Sequence, residues 1–399
     1  MVALAFVASL ASSPGQSYWL AIFVDDLIDA TGLSRTAFST LYAAATGCSA
    51  LTVMGVGRLV DRRGVGTAWA VVAVGLTAGC LAAGSATGAL GAFLALALLR
   101  AFGQGSFPLL GTLMIAGRFD AWRGRAISIG NLGSTLAAAG LPAVAVVLID
   151  AVGFRDAFRL TGLVVLVLVA PLAFVAAGLA GGRARPRGND GAALAVLGGE
   201  PVPVIVATPA MRPRFPWREG GGRLLVILTA PPLVVTGAVF HATSILAERG
   251  LGSGAAAGVL AVLAVSGALG AVVAGVVLDR FGPVVVLVAS SLLLGGGIAL
   301  LLPASISGAY AAFAVMGVAG GLNVTVSGVV WAQTWGVERL GALQSSGDSA
   351  RIAGAALGPL PLAISVSLTG SYDLGLLLLA GFGVACGALA AGWHGPARA

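Results

Sequence analysis

Gly57-Arg58-Leu59-Val60-Asp61-Arg62-Arg63-Gly64 is answered 218 residues later by Gly275-Val276-Val277-Leu278-Asp279-Arg280-Phe281-Gly282. Both stretches read G-x-x-x-D-R-x-G. Each follows one long apolar segment and precedes another. A short charged turn that recurs at half the chain length, between membrane-length segments, implies two related helical bundles. That is the plan of a secondary transporter with parallel repeats.

The rest of the chain agrees. It has 399 residues, 58% hydrophobic and 9% charged, with a mean hydropathy of +1.02. A soluble domain carries roughly 25% charged residues. So much apolar surface calls for lipid as the main solvent. The 61 glycines would weaken helices in water, but in a bilayer they let helix backbones approach closely. The first 13 residues lack a basic start and run on into apolar sequence, so they are read as helix rather than as a cleaved leader. Cys48, Cys80 and Cys386 have no metal-ligand spacing.

A crossing helix needs about 20 apolar residues. Twelve segments qualify: 2–24, 36–56, 66–85, 88–116, 126–149, 159–180, 223–247, 254–278, 283–303, 307–332, 342–368 and 374–393. They predict an all-α integral membrane protein with two six-helix, pseudo-symmetric halves. Residues 1–180 form the first bundle, 181–222 a basic, Pro- and Gly-rich linker on the cytoplasmic side, and 223–399 the second bundle. All 22 basic residues are Arg. With the N-terminus inside, sixteen fall in inner segments and four (Arg35, Arg155, Arg159, Arg249) in outer ones. That bias predicts a plasma (inner) membrane protein with both termini cytoplasmic. It also explains the net charge of +7 without nucleic acid. Near an offset of 217, Gly124, Gly130 and Pro142 match Gly341, Gly347 and Pro359; at 218, Pro14 matches Pro232.

Twelve segments, a central basic loop and the doubled loop motif together resemble the major facilitator superfamily. Arg100-Ala101-Phe102-Gly103-Gln104-Gly105 is similar to that family's fourth-helix pattern. Gly130 to Pro142 and Gly153-Phe154-Arg155-Asp156-Ala157-Phe158 are similar to its fifth-helix and following-turn patterns. The resemblance implies the major facilitator fold and transport by alternating access. It makes Gly57, Asp61, Arg62, Gly64, Gly275, Asp279, Arg280 and Gly282 gating loops that hold the outward-open state. Thr31-Gly32-Leu33-Ser34-Arg35-Thr36, Phe240-His241-Ala242-Thr243 and Glu248-Arg249-Gly250-Leu251 resemble monocarboxylate and oxalate/formate transporter-like members. The helix-8 basic residue common in those members is absent from 254–278. Arg351 in the eleventh segment is the expected counterpart.

Two arginines lie within spans. Arg100 sits about 18 Å into its segment at about 1.5 Å per residue. A guanidinium there cannot escape by deprotonating, so it must face a cavity, a partner or substrate. Substrate binding and pairing with carbonyls or Gln104 are both open. Asp348 and Arg351 share a helix face at i, i+3, and Asp348 is the one acidic residue placed within a span. An anionic cargo that competes for Arg351 would free Asp348 to take a proton, which gives a route to proton coupling. The alternative is an ion pair that serves packing. The repeat sets Asn131 opposite Asp348. Further substrate-binding candidates are Gln16 and Tyr18 after Pro14, His241, and Asn323. Trp331 and Trp335 are read as interface anchors.

The expected function is a proton-coupled or exchange transporter of a small, monocarboxylate-like organic anion, monomeric and without metal or cofactor. A drug or metabolite antiporter, and a non-transporting membrane sensor on the same fold, are the alternatives. No nucleophile–base set points to an enzyme; His241 and His394 are the only histidines.

Overall fold

A computed structural model describes residues 1–116, 123–180, 195–197, 200–202, 216–303, 305–335 and 340–393. Most of the 181–222 linker, and the side chains of Asp61 and Asn131, lie outside the described residues.

The chain runs as helices. α1 comprises Val2–Ala11 and Ser17–Thr31 around a 3-10 turn at Ser13–Gly15. α2 and α3 share Arg35–Ala83, divided at Gly64. α4 comprises Gly88–Leu98, a π-helical stretch at Leu99–Ser106, and Phe107–Ala116. α5 and α6 share Arg123–Val164, divided at Gly153, and α6 continues through Val165–Val169 to Leu172–Ala180. α7 comprises Gly221–Phe240 and Ala242–Glu248. α8 and α9 share Ser253–Ala299, divided at Gly282. α10 is Ile306–Trp335, α11 is Leu340–Leu357 with Pro359–Thr369, and α12 is Asp373–Ala391. Nine helices among the described residues are long and apolar enough to cross a bilayer, and two of those, of 48 and 46 residues, have the length for two passes each. With α1 this is consistent with twelve passes. The strands among the described residues are a three-residue antiparallel pair, Ala195–Leu197 with Glu200–Val202.

The doubled motif has a backbone cause. Its last glycines, Gly64 (φ 83, ψ 165) and Gly282 (φ 78, ψ 176), sit where a side chain is not tolerated, and Gly153 (φ 77, ψ 158) repeats the geometry between α5 and α6. These glycines reverse the chain between passes. Other positive-φ glycines keep the repeat register: Gly250 follows Gly32 by 218 residues and Gly370 follows Gly153 by 217.

The first pass is longer than the expected 2–24. It runs to Thr31, where Gly32 ends it in the left-handed conformation. Asp25, Asp26 and Asp29 therefore belong to the helix rather than to a loop. Leu20, Phe23, Val24 and Leu27 keep this stretch in the core, and Arg35 meets Asp25.

Candidate functional site

A cavity of ≈ 460 Å³ lies between the two sets of helices. Thr46, Ser49 and Val53 of α2 and Gln104 and Gly105 of α4 line it from one side. Pro232 of α7 and Asp348, Arg351, Ile352 and Ala355 of α11 line it from the other. The spacing of 46, 49 and 53 is one helical face, as is that of 348, 351, 352 and 355.

Arg351 is the cationic group in that wall. Its described hydrogen bonds go to α10 rather than to Asp348: Nη1 donates to Asn323 Oδ1 at 3.2 Å and to Ser327 Oγ at 2.6 Å. Asn323 is 1% exposed, and its Nδ2 is buried with no hydrogen-bond partner. Asp348 is exposed into the same cavity. The expected pair thus meets in one wall. Asn323 and Ser327, the latter marked by nothing in the local sequence, hold Arg351 from behind that wall.

Arg100 sits one residue behind the opposite wall. It is fully buried. Nε donates to Thr46 Oγ1 at 3.0 Å, and Nη1 to Gly15 O at 3.0 Å and to Ser17 Oγ at 3.4 Å. Its guanidinium lies 4.6 Å from the Tyr42 ring centroid. A buried charge survives only when well bonded. The break in α1 supplies the acceptor, because a 3-10 turn leaves the Gly15 carbonyl outside the α-helical ladder. The approach is backbone on backbone: a Cβ on Gly15 would collide with Leu99 O, and one on Gly103 would meet Gly15 Cα at 2.8 Å. The π-helical stretch of α4 turns Arg100 toward α1 and Gln104 toward the cavity. Gln16 and Tyr18 bond within the same break, Gln16 Nε2 to Ser12 Oγ at 3.0 Å and Tyr18 OH with Ser13 Oγ at 3.1 Å. None of Arg100, Gln16 and Tyr18 lines the cavity.

At one end the two sets of helices are tied together. Arg35 Nη2 meets Asp25 Oδ1 at 2.6 Å, joining α2 to α1. Ser244 of α7 docks into that pair. Its hydroxyl lies 2.7 and 2.9 Å from the two Asp25 oxygens and accepts from Arg35 Nη1 at 2.7 Å. Thr243 Oγ1 donates to Ala21 O at 3.0 Å and Thr36 Oγ1 to Ala363 O at 3.2 Å. One to two turns further in, the ring centroids of Tyr42 and Phe240 lie 4.5 Å apart and those of Phe38 and Phe240 6.1 Å apart, all buried. His241 belongs here too. It is fully buried, with Nε2 3.0 Å from Pro359 O and Nδ1 without a partner.

The cavity begins beyond this seal. Thr46 lies eleven residues past Arg35, about 16 Å along α2 at about 1.5 Å per residue. The loop motifs sit at the other end, where Arg62, Asp279 and Arg280 are exposed. The sequence hides the seal because Arg35 reads as a loop charge and its partner Ser244 is 209 residues away. The signal available was Asp25 and Arg35 on either side of a Gly32 turn.

Solved structures share this fold. A mutant form of a peptide transporter, POT, in complex with sulfate superposes with a TM-score of 0.73 at 16% identity, over 98% of this chain and 93% of that one. A mutant form of the nucleoside transporter NupG gives 0.70 at 12% identity over 97% and 98%. A bacterial homolog of the human lysosomal transporter Spinster, inward-facing and occupied, gives 0.68 at 16% over 98% and 90%. No curated protein matches the sequence. The sequence model of the Major Facilitator Superfamily matches residues 3–359. With that match across most of its length, the chain belongs to the Major Facilitator Superfamily, as a multi-pass membrane transporter.

Proposed function

We propose that the protein moves a small organic anion, monocarboxylate-like, by proton coupling or exchange. The observation that carries this is Arg351. It is a permanent cation in the wall of the central cavity, and its described bonds leave part of its guanidinium uncommitted. A cationic drug would meet repulsion there. Asp348 lies one turn away on the same wall and is the proposed proton site. The Arg bias orients the open end of the cavity toward the cytoplasm, so the conformation described is inward-facing, with the Asp25–Arg35–Ser244 contacts on the outer side. The doubled G-x-x-x-D-R-x-G loops are then the inner closure of the opposite state. The plasma membrane is the proposed site, and one chain carries a complete cavity, in keeping with a monomer.

Uptake by proteoliposomes tests the reading. A panel of carboxylates, amides and organic cations is offered with and without a pH gradient. Accumulation of a carboxylate, and not of its amide, is expected. Uptake confined to cations or neutral solutes overturns the proposal.

A further inference from the structure

Ser327 and Asn323 are spaced i, i+4 on α10, so one face of that helix presents both to Arg351. The Ser327 hydroxyl donates to Val324 O at 2.9 Å. Its proton is thus committed to its own helix, and its oxygen accepts from Arg351 Nη1. Asn323 accepts from the same nitrogen through Oδ1. That contact fixes the amide, because the reverse orientation would set an NH2 against a guanidinium. Nδ2 is left as a buried donor without a partner. Nη1 has two hydrogens, and two acceptors hold it. The Nε–Nη2 edge makes no hydrogen bond among the described residues, and Arg351 lines the cavity.

A guanidinium held at Nη1 offers one planar, two-donor edge. The two oxygens of a carboxylate match that edge side by side. Two oxygens of an oxyanion can take that edge, whereas a linear anion such as thiocyanate brings a single acceptor end and an amide brings one acceptor and a clashing donor. Ser266, Ser290 and Ser365 bond to backbone carbonyls without touching a cation; Ser327 differs in that its acceptor side is spent on Arg351.

We propose that Asn323 and Ser327 are positioning residues that make the cavity selective for a carboxylate over anions with a single acceptor end, by presenting Arg351 edge-on to the cargo. This rests on the anion reading of the cavity. Arg351 supplies the attraction, and the α10 pair supplies the discrimination.

The experiment measures binding of butyrate, thiocyanate and butyramide to the full chain in lipid nanodiscs, by isothermal titration. Wild type is expected to rank butyrate first. Ser327→Ala and Asn323→Ala are each expected to cut the butyrate-to-thiocyanate preference about tenfold, the weight of one hydrogen bond to a charged group. Ser327→Thr keeps the hydroxyl and is expected to keep the preference, which separates lost alignment from lost folding. An unchanged preference in both alanine variants, with butyrate binding lost in Arg351→Ala, overturns the positioning role and leaves the anion reading standing. Butyrate binding that survives Arg351→Ala, or a wild type that binds neither anion, overturns the anion reading and this inference with it.

Discussion

Ser244→Ala tests what holds the sealed end. The Asp25–Arg35 ion pair joins α1 to α2 and lies wholly on the N-terminal side. By itself it ties nothing across. The charged crossing is made by one hydroxyl from α7, which touches both carboxylate oxygens and one guanidinium nitrogen. Removing that oxygen leaves the ion pair in place and deletes its link to α7, while the Thr243–Ala21 and Thr36–Ala363 hydrogen bonds remain. Hydrogen bonds to charged groups contribute about 1.5–3 kcal/mol when buried. Here the Arg35 and Asp25 side chains are 22% and 36% exposed, so solvent screens the pair and the lower end applies. A loss of about 1.5 kcal/mol from the sealed state shifts its balance against the opened state about tenfold.

Spin labels at positions 29 and 248, both exposed and on opposite sides of the seal, give the distance distribution by double electron–electron resonance. Ser244→Ala is expected to raise a longer-distance population severalfold, and Ser244→Thr to restore the short one. An unchanged distribution in Ser244→Ala refutes the reasoning. The closure would then belong to the Phe38, Tyr42 and Phe240 cluster, and Phe240→Ala would be the variant that opens it.

Arg351→Ala is expected to abolish anion uptake while leaving the melting temperature within a few degrees of wild type, and Arg351→Lys to restore it only in part, since an ammonium lacks the two-donor edge. Arg100→Ala is expected to lose uptake and also several degrees of melting temperature, because it frees the Gly15 carbonyl and empties a packed site; equal melting temperatures for the two alanine variants would show Arg100 to be dispensable to the α1–α4 contact. Asp348→Asn is expected to keep cargo binding and counterflow exchange but lose pH-driven accumulation: if cargo on Arg351 favours a proton on Asp348, linkage makes that proton favour cargo, and accumulation that persists in the variant moves coupling elsewhere. Gly64→Ala and Gly282→Ala are each expected to cost about 1–3 kcal/mol of backbone strain, although a Cβ at either would meet nothing within 4 Å; a stability unchanged in thermal melts would refute the turn argument.

The passes are legible in the sequence because lipid leaves little choice: apolar length predicts crossing, and a motif copied at half length predicts a copied bundle. The glycines carry the same information in the backbone, which is why Gly64 and Gly282 mark the turns. The Asp348–Arg351 wall is legible because i, i+3 spacing on one helix is local. What resists is everything that depends on a second helix. Arg100 shows its depth but not its acceptors, which lie at Gly15, Ser17 and Thr46. Ser327 and Ser244 are ordinary serines until an arginine from another pass arrives beside them. The full extent of α1 escapes a reading by hydropathy because Asp25 and Asp26 look like a loop, and the partners of Asp25, Arg35 across the Gly32 turn and Ser244 of α7, are remote from that window.

The repeat also explains why the seal forms where it does. At the offset of 218, Asp25 and Asp26 fall opposite Thr243 and Ser244. Related helices in a parallel repeat meet near the axis that relates them, so α1 and α7 bring equivalent positions together. Had the copies stayed identical, the crossing would set carboxylates against carboxylates, which repel, or hydroxyls against hydroxyls, which bind weakly. Divergence made one side an acceptor and the other a donor. Ser244 reaches Asp25, and Thr243 reaches the Ala21 carbonyl. The cavity follows the same rule: Arg351 has Ser134 as its counterpart at 217, and Arg100 has Val318 at 218. The duplicated residues build the scaffold, and the chemistry sits where the two copies no longer agree. A double exchange, Asp25→Ser with Ser244→Asp, puts this to the test. It preserves complementarity across the axis but moves the carboxylate away from its direct contact with Arg35 Nη2. If complementarity across the axis governs closure, the exchanged protein should seal better than either single variant in the same spin-label measurement. Closure no better than in the single variants would place the governing interaction in the Asp25–Arg35 pair instead.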